Sequence, residues 1–515
     1  MTVRERARAV LVPALLVVVF GLLALLDRQR LLVDDAYIAF RYAANFANGL
    51  GLTWNPGERV EGYTNLSWVL VLSLLARLRI DLAVASVVLS LAFSLGSLVV
   101  LHDVARRAAP EGNRLAWTLP GLLLATNPSF DNAATSGMET AAFGFLVLLG
   151  QLLLVRGRED PRFVRRAGVV YSLAYFTRPE GALACAVAAT VEMLSSRGSP
   201  RERARRLAPV ALIVGLVVLV HVGVRFAYYG FLLPNTFYAK VIFGHRTVLR
   251  GAAHIAGFFL AGGFLVLPGV LELERRGPAR PFVLHGYALL GTYLVYLLLV
   301  GGDHPFWFRF YVPLLPLPLV ATSTTLLRFL GRGGRAPSRV AAYSLALFTN
   351  VFGNLFAERC DVLGHVDPRA RIAMDRVLQF FQREAPPGSL VAAETVGHVG
   401  YYARHLRILD MWGLNDVHIA HLDVSPNAKF GHDKFDLAYI GSKKPDYVYV
   451  LYASLEAVEL PGYDLCWPSE LFPIAVYRRK FSLGQADAHL GVPASTSRRL
   501  APPPPCRPPK PGPRL

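Results

Sequence analysis

Long apolar blocks separated by short polar segments run along residues 1–357. A block of about 20 apolar residues is the length of an α-helix that crosses a membrane core of roughly 30 Å. The blocks therefore predict a polytopic α-helical membrane protein with about eleven transmembrane helices. We place these spans at 10–26, 82–101, 115–130, 139–155, 167–177, 181–194, 207–227, 253–271, 283–300, 310–330 and 340–357.

Two apolar segments have a second interpretation. The block at 10–26 follows three arginines, as a signal peptide does, but Leu26-Asp27-Arg28 lacks the small residues of a cleavage site. We therefore predict an uncleaved first span. The segment 66–78 has 13 residues, which is too short to cross the membrane core at about 1.5 Å per residue. We predict an interfacial helix there.

The basic residues of the short loops separate into two sets. If the N-terminus is cytoplasmic, the inner loops hold 22 Lys and Arg in 64 residues and the short outer loops hold 10 in 103. Cytoplasmic loops of membrane proteins carry the excess of basic residues. We therefore predict a cytoplasmic N-terminus and an extracytoplasmic C-terminus. Counting 66–78 as a span would reverse every later loop and remove the asymmetry.

The character of the chain changes after residue 357. Short apolar segments at 389–393 and 447–451 are typical of β-strands, and 371–384 has helical spacing. We predict a transmembrane domain over 1–357, with the acidic pair in its outer loop 27–81, and a small extracytoplasmic α/β domain over 358–483. The Pro-rich tail 484–515 is predicted to be disordered. Cys360 and Cys466 can pair if this domain lies outside the cell.

The overall composition narrows the class of protein. Of 515 residues, 53% are hydrophobic and 17% are charged, with a mean hydropathy of +0.39. Soluble chains carry about 25% charged residues, so a soluble multidomain enzyme and a disordered chain are both excluded. The net charge of +18 belongs to scattered inner loops without a stacking platform, so we predict no nucleic-acid partner. The sequence has no dinucleotide fingerprint and no P-loop, so no cofactor of that kind is predicted.

Unusual polar residues collect in the predicted outer loops. Ionisable residues at membrane depth are costly and mark functional sites by default. Their convergence on one face predicts one site at the outer membrane surface. The residues are Asp34, Asp35, Glu61, Tyr63, Asn65, Glu139, Arg178, Glu180, Asn235, Lys240, Asp303, His304 and Arg309.

The adjacent carboxylates of Asp34 and Asp35 come soon after the first predicted span. One carboxylate can accept a proton from a sugar hydroxyl while the second orients that hydroxyl. Two carboxylates can also hold a divalent cation, Mg²⁺ or Mn²⁺, although base catalysis needs neither. We predict that this pair is catalytic. A plain solvated loop is the alternative.

Four cationic side chains are candidates for binding a phosphate group. The forked donors of an arginine suit a phosphate, which favours Arg178 and Arg309, and Lys240 and His304 lie in the same set of outer loops. The alternative for Arg178 is a buried ion pair with Glu180 that stabilises a broken helix. The alternative for Lys240 is a side chain that snorkels to the interface.

The other outer polar residues are candidates for holding the substrate. Glu61, Tyr63 and Asn65 form one dense polar group, although Glu61 and Asn65 can instead shape the turn into the helix at 66–78. Glu139 can instead cap a helix. Asp303 follows two glycines in the fifth outer loop and is the more suggestive carboxylate there.

These segments resemble those of a known family. The run DDAYIAFRYAANFANGLGLTWNPGERVEGYTN at 34–65, SGMET at 136–140, TRPEG at 177–181 and LPNTFYAK at 233–240 resemble the outer loops of bacterial GT-C glycosyltransferases. The stretch GGD…RF…P from residue 301 and the run at 397–420 are similar as well. The family that the chain resembles most is that of the mycobacterial terminal arabinofuranosyltransferases.

The resemblance implies a multi-pass enzyme of the bacterial inner membrane. Such enzymes take a sugar from a polyprenyl-phosphate donor and pass it to an extracytoplasmic glycan or lipid acceptor. The resemblance implies that the acidic pair supplies the general base, with Asp34 as the first choice. It also implies that the phosphate is held by one or more of Arg178, Lys240, His304 and Arg309, and that the helix at 66–78 shapes the lipid entrance.

The resemblance also implies a role for the run at 397–416 in the C-terminal domain. There Tyr402 and Asp416, together with Tyr401 and Trp412, are implied to bind the acceptor glycan. Ordinary core packing is the alternative for these residues. The identity of the sugar is carried by no residue that the sequence alone marks, so arabinose stays open.

Two other functions compete with the glycosyltransferase hypothesis. A transporter or flippase of lipid-linked sugars would show paired halves with broken helices and charges near the membrane midplane, and the sequence shows no such pairing. A non-catalytic scaffold would not require acidic and basic residues in five separate outer loops. We therefore favour the enzyme.

Overall fold

A computed structural model of the chain describes residues 32–110, 114–242, 244–303, 308–331, 344, 368–424, 433–450, 461–468 and 474–480. Several sequence predictions fall outside these residues. They are the span at 10–26, the span at 340–357 apart from residue 344, His304, Cys360 and the tail 484–515.

Two helices of the first outer loop pack against each other. Helix α1 (Asp34–Ala47) begins at the acidic pair and is buried along most of its length. Helix α2 (Leu66–Arg77) is the short helix that the sequence predicts at 66–78. Leu70 and Leu74 of α2 are exposed, as an interfacial helix requires on its lipid side.

A bundle of helices follows, and its central helix is α6, which packs against α3 and α7. Short 3₁₀ segments occur at Gly263–Val266, Pro268–Glu272 and Arg309–Leu314. The bundle helices are α3 (Leu82–Ala108), α4 (Arg114–Ala125), α5 (Pro128–Thr135), α6 (Thr140–Arg156), α7 (Arg162–Thr177), α8 (Glu180–Ser195), α9 (Pro200–Tyr229), α10 (Asn235–Lys240), α11 (His245–Leu260), α12 (Arg280–Val300) and α13 (Pro316–Gly331).

The count of about eleven spans stays a prediction. Within the described residues, three helices, α3, α9 and α12, are long and apolar enough to cross a membrane, or up to five spans if two bent pairs each count as one. Helices α7, α8 and α13 have 16 residues each, so each is shorter than a typical span of about 20. The fold is thus that of a multi-pass membrane protein.

Two of the predicted spans are interrupted in the structure. The predicted span 115–130 ends as a helix at Ala125, and Asn127 then caps α5 by accepting the backbone N–H of Ser129 at 3.0 Å. The predicted span 253–271 changes to 3₁₀ geometry after Leu260, where Gly262 adopts a φ of 117°. Apolar composition hides both breaks because capping and left-handed backbone do not alter mean hydropathy.

A mixed sheet forms the C-terminal part of the described chain. Its strands are β1 (Leu390–Ala393), β2 (Arg407–Asp410), β3 (Tyr447–Val450), β4 (Tyr463–Pro468) and β5 (Ala475–Arg479), in the order β2-β1-β3-β5-β4. β1 is parallel to β2 and β3, whereas β5 is antiparallel to both β3 and β4. Strands β1 and β3 lie where the sequence predicts strands. The accompanying helices are α14 (Pro368–Glu384), α15 (Gly397–Tyr402), α16 (Val417–Ala420) and α17 (Leu437–Ser442).

The sheet and its helices, residues 368–480 with the gaps given above, are called the sheet domain. This domain packs directly against α1. The buried Arg41 donates to the carbonyls of Gly400 at 2.6 Å and Leu406 at 2.9 Å. Its guanidinium also lies 4.7 Å from the ring centroid of Trp54. Charge-assisted hydrogen bonds of this kind are about twice as strong as neutral ones, so Arg41 fixes the domain on the helix that carries the acidic pair.

A second polar cluster joins loops at the other end of the bundle. The buried Glu192 of α8 accepts from Arg158 at 2.7 Å, from His285 at 3.0 Å and from Arg206 at 3.4 Å. Arg158 and Arg206 belong to two predicted inner loops, and His285 lies near the start of α12. The cluster thus joins the predicted inner loops 156–166 and 195–206 at one end of α8, whereas Glu180 at the other end of α8 contacts Arg178 of a predicted outer loop.

Candidate active site

Asp34 holds the sheet domain in place through both oxygens of its carboxylate. Oδ2 accepts the backbone N–H of Gly397 and Oδ1 accepts that of His398, each at 2.8 Å. Burial raises the pKa of Asp34, the charge of Asp35 adds to that effect, and the two backbone hydrogen bonds oppose it. Asp34 therefore faces the backbone of α15.

Asp35 differs from its neighbour in its partners, since both residues are half-buried and the Asp35 side chain is 30% exposed. Its Oδ2 lies 3.5 Å from Nη2 of Arg309 and 3.9 Å from Nζ of Lys240. A carboxylate between two cations, with access to solvent, can accept a proton from an incoming hydroxyl. The geometry therefore favours Asp35 over Asp34, the first choice from sequence, as the base.

Arg309 lies in the wall of the site, where Asp303 holds it. Nη2 of Arg309 lies 3.1 Å from Oδ1 of Asp303, and its Nε donates to Oδ2. Burial disfavours the Asp303 charge, but Arg309 and then Lys240 lower the pKa of Asp303 below its usual range. This pair fixes a cation within reach of Asp35, at the start of the 3₁₀ segment Arg309–Leu314.

Lys240 reaches the site from the end of α10. Its side chain is 43% exposed, so its ammonium group can exchange Asp35 for a ligand oxygen at small cost. Asn235, at the start of the same helix, donates to the carbonyls of Gly413 and Leu414 at 2.8 and 3.0 Å. Asn235 thus fastens α10 to the sheet domain.

A small pocket with a cavity volume of about 30 Å³ lies at this cluster. That volume holds about two water molecules. Residues Asp34, Asp35 and Arg309 line it, together with four residues that the sequence did not mark as site residues. The full lining is Val33, Asp34, Asp35, Asn132, Ser136, Met138 and Arg309.

Arg178 and Glu180 form the buried ion pair that was the alternative to phosphate binding. Nη2 of Arg178 lies 3.4 Å from Oε1 of Glu180, and Nη1 lies 3.2 Å from Oε1 of Glu139. Asn65 donates to the other oxygen of Glu139 at 2.7 Å. The guanidinium also stacks 4.4 Å from the ring centroid of Phe310. Arg178 therefore faces carboxylates and a ring, and a direct phosphate contact stays a prediction.

Glu61 and Tyr63 contact α9 rather than the pocket. Glu61 and Arg225 form a buried pair with N–O distances of 2.6 and 3.1 Å. The Tyr63 hydroxyl lies 3.1 Å from that of Tyr229. The structure thus places these two residues in the joint between the first outer loop and α9, and their role in substrate binding stays untested.

The two acceptor candidates in the sheet domain have different contacts. Asp416 caps α16 by accepting the backbone N–H of Ile419 at 2.9 Å, and it also accepts the Tyr439 hydroxyl. Tyr402 is exposed and packs against Tyr37 of α1. Their contacts are those of structural residues, and their role toward an acceptor stays a prediction. His304 lies outside the described residues.

The described part of the chain contains no group of three or more His, Cys, Asp and Glu side chains that could hold a metal. The predicted divalent cation would rest on the acidic pair, and Asp34 faces backbone donors there. Binding of Mg²⁺ or Mn²⁺ stays a prediction.

Sequence reasoning missed residues that lie close to the acidic pair in space. Ser136 and Met138 belong to the SGMET segment, whose Glu139 alone was nominated. Arg41 comes seven residues after Asp34, which places both on one face of α1. That spacing is the signal that could have identified Arg41.

Comparison with protein families and curated proteins gives partial matches. Residues 365–490 match a family described as Domain of unknown function (DUF8728). The chain is 28% identical over 244 residues to a terminal beta-(1->2)-arabinofuranosyltransferase of Mycobacterium tuberculosis, covering 45% of this chain and 38% of that protein. It is 27% identical over 236 residues to the protein of the same name from Corynebacterium glutamicum, covering 40% and 32%. The chain thus spans well under half the length of these curated relatives.

Solved structures match over a larger share of the chain. ArnT from Cupriavidus metallidurans bound to undecaprenyl phosphate superposes with a TM-score of 0.62 at 15% identity, over 92% of this chain and 98% of that one. The oligosaccharyltransferase AglB from Archaeoglobus fulgidus, in complex with an inhibitory peptide and a dolichol-phosphate, gives 0.51 at 12% identity, over 88% and 70%. The resemblance to GT-C membrane glycosyltransferases is confirmed, and at these identities the structures establish the fold alone.

Proposed function

We propose that this chain is a membrane glycosyltransferase that moves a sugar from a polyprenyl-phosphate donor to an extracytoplasmic glycan or lipid acceptor. One observation carries the proposal. A partly exposed carboxylate, Asp35, lies within 3.5 and 3.9 Å of the cations Arg309 and Lys240 at a small pocket. A base beside two cations is what the transfer of a sugar from a phosphate requires.

The proposed reaction is a single displacement at the anomeric carbon. Asp35 takes the proton of the acceptor hydroxyl while the acceptor oxygen forms a bond to that carbon. The bond between the carbon and the phosphate oxygen breaks, and the lipid phosphate leaves with the electron pair. Arg309 and Lys240 offset the negative charge that grows on the phosphate. This route inverts the configuration at the anomeric carbon.

Asp34 supports the site without touching the substrate in this proposal. Its two hydrogen bonds with backbone N–H groups of α15 set the position of the sheet domain relative to Asp35. The third acidic residue, Asp303, holds Arg309. Each of the three aspartates thus has a different role, which the surroundings of its carboxylate determine.

Donor and acceptor classes come from the relatives. ArnT is bound to undecaprenyl phosphate and AglB to a dolichol-phosphate, so a polyprenyl phosphate is the proposed leaving group. The curated relatives are named for arabinofuranose transfer, so an arabinofuranosyl donor is the first to test. The acceptor is then a glycan or glycolipid of the cell envelope.

The proposed orientation places the pocket and the sheet domain outside the bacterial inner membrane. The excess of basic residues at the opposite end supports it. Cys466 of β4 is disulfide-bonded, and such bonds persist in oxidising compartments outside the cytoplasm. Its pairing with Cys360 remains a prediction, since Cys360 lies outside the described residues.

A transfer assay with purified protein in lipid tests the proposal. Polyprenyl-phosphate sugars, arabinofuranose among them, are offered with a cell-envelope glycan to the unchanged chain, Asp35→Asn and Glu58→Gln. Glu58 is the matched control because it pairs with Arg407 on the exposed surface of the same outer loop. We expect transfer by the unchanged chain and by Glu58→Gln, and a loss of at least about 100-fold in Asp35→Asn.

The competing functions give different results in the same assay. A transporter or flippase would move a labelled lipid-linked sugar across the bilayer without cleaving its bond to phosphate. A scaffold would bind the glycan and consume no donor. Either result, obtained with folded protein and the full donor panel, would overturn the proposal.

A further inference from the structure

Two neighbouring inner segments concentrate arginine. Segments 156–166 and 195–206 together hold ten arginines and three acidic residues. Segment 156–166 leads into α7 and segment 195–206 leads into α9, and these two helices pack along each other. At Gly168 of α7 an added Cβ would lie 3.0 Å from Ile213 of α9, so the two helices approach closely near these ends. Arg158 also donates to Ser195 at 3.0 Å, which joins the segments directly.

The positive charge on this surface is largely uncompensated. Of the acidic residues, Asp160 accepts the backbone N–H of Arg162 and Glu202 accepts that of Ser199. Arg158 and Arg206 already contact the buried Glu192. Six further arginines are exposed and form no ion pair within the described part of the chain: Arg162, Arg165, Arg166, Arg197, Arg201 and Arg205.

An exposed aliphatic stripe starts beneath these arginines. One face of α9 carries, at helical spacing, Arg205, Leu212, Leu216 and Leu219. The three leucines are 71%, 62% and 70% exposed. From Arg205 to Leu219 the helix rises about 21 Å at about 1.5 Å per residue, a length comparable with one membrane leaflet. On α7, Arg165 stands above the exposed Val169 and Leu173 at spacings of four residues.

We propose that the adjoining inner ends of α7 and α9 bind a phospholipid with an anionic headgroup, and that its acyl chains lie along the stripe on α9. The arginines complement the phosphate charge of the headgroup. The exposed leucines complement the chains. Basic residues at the membrane surface contribute to the binding of anionic lipids within about one Debye length.

The charge on this face argues for a lipid rather than for a second copy of the chain. A two-fold interface brings the same surface of two copies together. Arginines would then meet arginines, with no acidic partner for the six exposed ones. An anionic lipid supplies the charge that the surface lacks.

Lipid-dependent thermal stability of the full chain tests the proposal. Purified protein is titrated with phosphatidylglycerol or phosphatidylcholine in mixed micelles at low salt. The test variant is the triple substitution Arg165→Gln, Arg201→Gln and Arg205→Gln. The control loses the same charge elsewhere on the inner face through Arg275→Gln, Arg276→Gln and Arg280→Gln, whose side chains are exposed.

We expect phosphatidylglycerol, but not phosphatidylcholine, to raise the unfolding midpoint of the unchanged chain and of the control. The test variant should need at least about tenfold more phosphatidylglycerol for the same rise, because each basic residue contributes to the attraction of an anionic surface. Equal responses of the two variants would show a diffuse charge effect and overturn the site. A lipid-independent dimer that the test variant abolishes would also overturn it, in favour of a second copy.

Discussion

Adjacent residues at the start of α1 have different chemistry because their surroundings differ. Asp34 accepts two backbone N–H groups of the sheet domain, whereas Asp35 faces the cations Arg309 and Lys240. An acidic pair in a sequence does not reveal which carboxylate binds backbone N–H groups, since that depends on α15, more than 360 residues away. The sequence therefore locates the two carboxylates but not their different partners, and their catalytic role stays a prediction.

Lys240→Gln tests the phosphate role at the residue scale. We expect kcat/KM for the donor to fall roughly 10- to 100-fold, because a cation beside the leaving phosphate is lost. The unfolding midpoint should stay unchanged, since the side chain is 43% exposed. Kinetics with varied donor concentration and thermal unfolding measure the two quantities. Lys443→Gln, on the exposed surface of the sheet domain, is the control, and equal kinetics in both variants would remove Lys240 from the site.

Asp410 provides a pH dependence of stability. Burial raises its pKa to about 6, although hydrogen bonds from Trp412 and Asn415 oppose the rise. The folded chain thus holds this proton more tightly than the unfolded chain, so ionisation costs stability as pH rises from about 4 to about 6. From the difference between the folded pKa of about 6 and the ordinary aspartate pKa of 3.8, the full cost is about 3 kcal/mol.

Thermal unfolding across this pH range isolates the effect of Asp410. The stability of the unchanged chain relative to Asp410→Asn should fall as pH rises through the range and then level off. The asparagine cannot ionise, so the difference between the two curves reports the carboxyl group. A difference that stays constant, or that grows with pH, would contradict the assigned direction.

At the scale of elements, the hydrophobic pattern locates helices and strands, but it does not show where an apolar block is broken into two elements. The sequence predicted α2, α9, α12, β1 and β3 close to their observed positions, because each has a clear hydrophobic period or run. It missed the division of 115–130 into α4 and α5, since Asn127 and Pro128 stop one helix and start another within an apolar context. It also could not foresee that α15 would contact Asp34, because that contact joins distant parts of the chain.

Gly397→Ala tests the contact between α15 and α1. A Cβ at this position would lie 2.0 Å from the backbone oxygen of Asp34, and backbone cannot move aside as a flexible side chain can. We expect a loss of about 1–3 kcal/mol in stability and a fall in kcat, because α15 must shift away from Asp34. Thermal unfolding and the transfer assay measure both.

Gly441→Ala is the matched control for this substitution. It lies in α17 of the same domain, and an added Cβ there meets nothing within 4 Å. The control should keep full activity and equal or greater stability. If Gly397→Ala behaves like the control, Asp34 does not hold the domain as described.

At the scale of the whole molecule, polar contacts collect at two ends of the bundle. Glu192 joins predicted inner loops at one end, and the acidic pair, Lys240 and Arg309 meet the sheet domain at the other. The arginine count of the loops predicted this division before any contact was known. It did not reveal which apolar blocks are interrupted, because the breaks at Asn127 and Gly262 leave the mean hydropathy of those blocks unchanged.

Surface labelling tests the orientation of these two ends. Arg407→Cys on the sheet domain and Arg162→Cys at the start of α7 each add a thiol at an exposed position, and the label is measured as the increase over the unchanged chain. A membrane-impermeant maleimide should label Arg407→Cys in intact cells, and Arg162→Cys only after permeabilisation. The reverse pattern would place the candidate active site in the cytoplasm.

The most direct measurement of the central claim compares Asp35→Asn with Asp34→Asn in one assay of sugar release from a polyprenyl-phosphate donor in the presence of acceptor. We expect Asp35→Asn to fold with an unchanged unfolding midpoint and to lose at least about 100-fold in kcat. We expect Asp34→Asn to be destabilised and to retain more activity than Asp35→Asn when folded protein is compared. Full activity of Asp35→Asn, with or without loss in Asp34→Asn, would show that Asp35 is not the base.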